Sequence, residues 1–103
     1  MVEITLDTNG MAWEDARSYP GGVKAKVLRD QGEIRSKILK LPPGFQMGGH
    51  THIYVEQHFV LEGTYETGGK EYGPGTYRYI PALAHHGPYS SREGAVILVF
   101  WGD

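Results

Sequence analysis

The chain has 103 residues, enough for one hydrophobic core and too few for two, so a single domain over residues 1–103 is expected. A formal net charge of −2 offers no basic excess to recruit phosphate backbones or an anionic membrane, so neither nucleic acid nor membrane is expected as a partner. Cysteine is absent, which excludes disulfides, thiolate metal sites and a cysteine nucleophile together.

No basic-then-apolar leader is read at the N-terminus, and the longest apolar run, residues 95–101, is far too short to span a bilayer. The cytoplasm is the expected location. Fifteen glycines and six prolines punctuate short runs of β-branched and aromatic residues, a rhythm that favours an all-β sandwich or barrel. In chain order, strands are expected at 2–6, 23–29, 34–41, 56–61, 64–67, 70–72, 76–80 and 95–101, with a brief helical look only at 11–17. Gly68-Gly69 reads as a tight hairpin, and Pro42-Pro43-Gly44 and Gly73-Pro74-Gly75 read as turns.

The chemistry concentrates between Gly44 and Gly63, where His50, His52 and Glu56 fall within seven residues, and again at His85-His86. Neutral imidazole and carboxylate are the donors that borderline divalent metals prefer. In a strand His50 and His52 share a side, whereas in a helix they would diverge by about 200°. On a straight strand Glu56 would lie roughly 13 Å beyond His52, so the chain must bend or bulge across Ile53-Tyr54-Val55, although no glycine or proline stands there. His86 is expected from another strand, across the barrel.

Other polar residues are weighed the same way. Strand parity puts His58 on the inner face with Glu56. There it is either a core histidine with one satisfied nitrogen or an acid/base group beside the metal, with direct ligation the lesser alternative. His85 is read as a surface residue, Tyr77 and Tyr79 as packing residues on one face, and Glu62 as solvated. Ser18 and Ser90-Ser91 lack a nucleophile-elbow setting, and the glycines precede strands instead of helices, which excludes a phosphate loop.

Gly44-x5-His50-x-His52-x3-Glu56-x6-Gly63 resembles the first motif of the cupin superfamily, position for position. Gly75-x5-Pro81-x-Leu83-x2-His86 is similar to the second, with Leu83 where glycine is usual and Ser90 where asparagine is often found. The short hairpin at 64–74, with Tyr72-x-x-Gly75-Thr76-Tyr77 and His86-Gly87-Pro88-Tyr89-Ser90, resembles the C-terminal cupin domain of zinc-binding anti-sigma factors and its stand-alone relatives. The resemblance implies an antiparallel jelly-roll barrel in which His50, His52, Glu56 and His86 bind one divalent metal. The helical, cysteine-containing domain of the full-length anti-sigma factors has no counterpart in this chain.

Three imidazoles and one carboxylate leave two positions open on a six-coordinate ion. Iron, manganese or nickel suits oxygen chemistry there, and zinc tends toward a closed structural site. Two functions follow. One is a small metal-dependent enzyme, dioxygenase- or isomerase-like, acting on a small oxygenated organic molecule with His58 as its candidate catalytic proton carrier. The other is a non-catalytic zinc-binding module that senses a ligand or redox state. The enzyme is the favoured expectation. A homodimer is expected as well, because Gln57, Phe59 and Leu61 should face outward and the strand at 95–101 is apolar on both faces.

Overall fold

A computed structural model describes residues 2–102. Among the described residues a single 3-10 turn at Thr8–Gly10 is followed by twelve strands. They are β1 (Glu14–Asp15), β2 (Lys24–Gln31), β3 (Ile34–Leu41), β4 (Phe45–Met47), β5 (His50–Thr51) and β6 (Glu56–Gly63). Then come β7 (Tyr65–Thr67), β8 (Lys70–Tyr72), β9 (Tyr77–Ile80), β10 (His85–His86), β11 (Tyr89–Ser91) and β12 (Ala95–Trp101). Among the described residues no helix is long and apolar enough to cross a membrane.

The architecture is an antiparallel jelly roll. One sheet runs β1-β2-β3-β12-β6-β9, a second β4-β11-β7-β8, and β5 pairs with β10 in a third piece of two strands. The core lies between the first two. From β12 come Ala95, Ile97, Val99 and Trp101, and from β6 Val60, meeting Phe45, Tyr65 and Tyr89 of the opposite sheet. All are less than a tenth exposed, as strict alternation on a half-buried strand requires. Glu56, His58 and Val60 share the buried face of β6, while Phe59 and Leu61 point out at 40% exposure each.

Several expectations need correction. Residues 2–6 form no ladder. Val2, Ile4 and Leu6 are 85%, 53% and 45% exposed, and the first ladder of the chain is made instead by Glu14 and Asp15, which pair with Ala25 and Lys24 at the start of β2. The helical look at 11–17 dissolves for the same reason, and Trp13 lies under the ammonium groups of Lys26 and Lys40. One isolated turn of helix was too short to compete with that ladder. Tyr77 and Tyr79 are not packing residues. They stand on the outer face of an edge strand, 54% and 55% exposed, and the Tyr77 hydroxyl donates to Gln57 Oε1 at 2.6 Å.

Candidate metal centre

Four side chains converge at one end of the sandwich. Each of His50, His52, Glu56 and His86 offers a donor atom within 4.8 Å of all the others. His86 does not arrive from across the barrel. It is the register partner of His50 on the neighbouring strand, and their ring centroids are 4.2 Å apart. Such closeness needs a thin backbone. A Cβ on Gly49 would lie 2.7 Å from His85 Nε2, and one on Gly87 2.9 Å from the Gly49 Cα. The exposed His85 belongs to the surface, with Nδ1 3.4 Å from Thr51 Oγ1.

The reach of Glu56 is solved by a bend. The chain leaves the ladder after Thr51, turns at Ile53 and Tyr54, and enters β6 at Glu56 itself. The bend is pinned from outside, by Leu83 N–H donating to His52 O at 2.7 Å and Gly102 N–H to Val55 O at 2.8 Å. Leu83 keeps the left-handed backbone expected of glycine, with φ of 67°, at a strain of about 1–2 kcal/mol. His52 Nε2 thereby comes to 3.2 Å from Glu56 Oε1. Two donors each about 2.1 Å from one ion, at roughly a right angle, are about 3 Å apart.

Around these donors lies a set of aromatic hydroxyl and N–H groups that spacing alone did not reveal. Trp101 Nε1 donates to Glu56 Oε1 at 2.7 Å, and His58 Nε2 meets Glu56 Oε2 at 2.5 Å. The second nitrogen of His58 is 2.8 Å from the Tyr65 hydroxyl, which also accepts from Arg78 Nη1 at 3.2 Å. His86 Nδ1 is 2.5 Å from the Tyr89 hydroxyl. With Nδ1 donating there, His86 Nε2 is left bare, and it is buried without a hydrogen-bond partner among the described residues. A buried nitrogen with nothing to bond, facing three other donors, fits a bound cation.

Electrostatics agree with that chemistry. Burial pushes the His86 pKa down to about 4 against the opposing pull of Glu56, so the ring is neutral at physiological pH. Burial likewise lowers His52, again opposed by Glu56, with His50 and Arg35 adding to the depression. For Glu56, burial favours the neutral acid, but the His58 hydrogen bond and the charges of His58, His86 and His52 outweigh it and hold the carboxyl below its usual range. Tyr89 is pushed up to about 12 by burial and stays a neutral phenol. His58, placed inward as parity predicted, is not one of the four converging residues.

A jelly roll with three imidazoles and a carboxylate gathered at one end of the sandwich defines a cupin. The chain belongs to the family of ChrR cupin-like domains, whose profile matches residues 1–103. It is 28% identical over 88 residues to anti-sigma-E factor ChrR of Cereibacter sphaeroides, a match covering 84% of this chain and 41% of that protein. This chain thus spans less than half the length of that curated relative. The crystal structure of Rhodobacter sphaeroides SigE with the anti-sigma ChrR superposes with a TM-score of 0.72 at 21% identity, over 92% of this chain and 51% of that one. A putative acetylacetone dioxygenase of Methylibium petroleiphilum superposes with a TM-score of 0.86 at 18% identity, over 98% and 77%. At these identities the superpositions speak for the fold.

Proposed function

We propose that His50, His52, Glu56 and His86 bind one divalent metal ion, whether iron, manganese, nickel or zinc. On this reading the chain is a small metal-dependent enzyme of dioxygenase or isomerase type, acting on a small oxygenated organic molecule. The observation that carries it is the unpartnered, buried His86 Nε2 among converging donors. A bound ion with open positions would polarise a substrate oxygen. The chain's own residues do the rest. Tyr89 fixes the tautomer and direction of His86, while Trp101 and His58 hold the two oxygens of Glu56. On this reading His58, bonded to Glu56 Oε2 and to the Tyr65 hydroxyl, serves as proton carrier through Glu56.

The kinship with an anti-sigma factor favours a second reading, a non-catalytic zinc module whose pocket senses a small ligand or redox state. Protein purified without a histidine tag, analysed for metal and then screened for oxygen uptake after iron(II) is restored, separates the two. One ion per chain is expected, falling at least about tenfold in affinity in His52→Ala or His86→Ala. Unchanged stoichiometry in both variants would remove the site. Zinc retained with no uptake on any diketone or acid would favour the sensor.

The assembly proposed is a homodimer. Phe59, Leu61, Tyr77, Tyr79 and Phe100 line the outer face of one sheet at 40% to 55% exposure. The N-terminal segment borders a different part of the surface, a recess it shares with Leu28, Arg29 and Ser36, and Val2 is itself 85% exposed. Sedimentation equilibrium should give twice the chain mass at micromolar concentration, and a monomer there would refute the dimer.

A further inference from the structure

Two spaces adjoin the four donors. The inner one, between the sheets, holds only about 40 Å³, room for water and no more. The outer one is a recess of about 400 Å³ that His50 and His52 share with Tyr19, Arg35, Lys37 and Trp101. That volume falls in the range of small-molecule sites. Of the two spaces, only this recess has room for more than a few atoms beside His50 and His52.

Its wall is cationic for a reason visible in β3. Arg35, Lys37, Leu39 and Leu41 share the inner face, and the two deeper residues are buried leucines while the two at the mouth are charged. The Arg35 guanidinium lies 5.1 Å and the Lys37 ammonium 5.8 Å from the Trp101 ring centroid. Among the described residues neither has a carboxylate within 4.0 Å, and Arg35 Nε is buried with no hydrogen-bond partner. Stacking on an indole engages the face of a guanidinium and leaves its N–H edge unsatisfied. A divalent ion held by one carboxylate would leave the centre positive, and two further cations deepen that potential.

We infer that the recess takes a small organic anion, a carboxylate with a further oxygen donor a few bonds away, such as a 2-oxo or 2-hydroxy acid. This rests on the metal reading above. Arg35 and Lys37 receive the negative group, Arg35 by its fork of N–H donors, while the molecule's oxygens face His50 and His52. A neutral diketone of the same size would leave the Arg35 edge bare.

The test uses the full chain loaded with cobalt(II), whose visible spectrum reports on the ion's surroundings, and calorimetric titration with pyruvate and with methyl pyruvate. The two probes share a skeleton and differ in charge. Pyruvate should bind at least about tenfold more tightly and should alter the cobalt spectrum. Arg35→Gln should abolish most of that preference, with cobalt stoichiometry intact and methyl pyruvate affinity within about twofold of the parent. Lys37→Gln should weaken pyruvate less, Arg35→Lys should keep part of the preference, and added salt should shrink it. Equal affinity for the two probes, binding of neither, or a preference that survives Arg35→Gln would overturn the inference while leaving the metal site standing. Cobalt lost in Arg35→Gln would also overturn it, since Arg35 would then be holding the donors. A parent chain that takes no cobalt would sink the metal reading and this inference with it.

Discussion

Replacing Trp101 with phenylalanine keeps an aromatic ring in the core and deletes one N–H. In the parent that N–H sits 2.7 Å from Glu56 Oε1, and both residues are only 5% exposed. A hydrogen bond to a buried charged acceptor is worth about 1.5–3 kcal/mol, and the lost ring atoms add on the order of 1 kcal/mol. The metal-free variant should therefore be about 2–4 kcal/mol less stable in urea denaturation with a chelator present. The more telling readout is metal affinity. A carboxylate that has lost the donor fixing its direction should bind about 10–100-fold more weakly in competition with a chromophoric chelator. Val99→Ala serves as control, because it opens a cavity on the same buried face of β12 and contacts no candidate ligand through a hydrogen bond. It should cost stability and leave affinity within about threefold. If Trp101→Phe also stays within threefold, or if Val99→Ala weakens metal equally, the indole is mere packing and the reasoning fails.

Two further outcomes follow from the same geometry. His58→Gln should keep the metal and change turnover or ligand affinity, whereas a loss of metal as large as in His52→Ala would make His58 a ligand. Metal-free protein should lose stability on acidification. His86 is held neutral down to about 4 when folded but takes a proton near 6.5 when unfolded, so between those values the unfolded chain binds more protons and is favoured as pH falls. His52 contributes in the same direction below 6.5, and Glu56, whose folded pKa lies below 4.5, joins at lower pH. The His86 share is about 1–2 kcal/mol after allowing for solvent at the site's mouth, and a flat stability profile from pH 7 to pH 4.5 would contradict it.

The long strands and the four converging residues were legible because their signals are local. Runs of seven or eight residues rich in β-branched and aromatic side chains, bounded by glycine and proline, announce β3, β6 and β12, and the motif spacing carries His50, His52, Glu56 and His86. What escaped depends on partners far away in the chain. Phe45–Met47 and Tyr89–Ser91 are three-residue strands that exist because they pair with each other, forty-odd residues apart, and neither has a pattern long enough to read. The same holds for Trp101 and Tyr89. Which face of 95–101 is buried was not readable, and the polar tip of each ring is spent on a residue that only the fold brings near. Arg35 and Lys37 could have been noticed, since cations at alternate positions leading into buried leucines break the apolar face of a strand. The bend at 53–55 was required by the ligand spacing but has no glycine or proline of its own, because it is held by hydrogen bonds from Leu83 and Gly102.

The ladder that brings His50 beside His86 is only two residue pairs long, and no tight hairpin joins its strands. It is therefore among the parts of the jelly roll that open at low cost, well before the long ladders of β3, β12 and β6. An ion bridging the two strands would act as a clasp on a hinge, tying together stretches of chain thirty-six positions apart. Metal exchange would then be timed by local opening of that clasp and not by unfolding of the domain. The amides of residues 50–52 and 83–86 would be the clock, quick to exchange with solvent in the stripped protein and slow once the ion is seated.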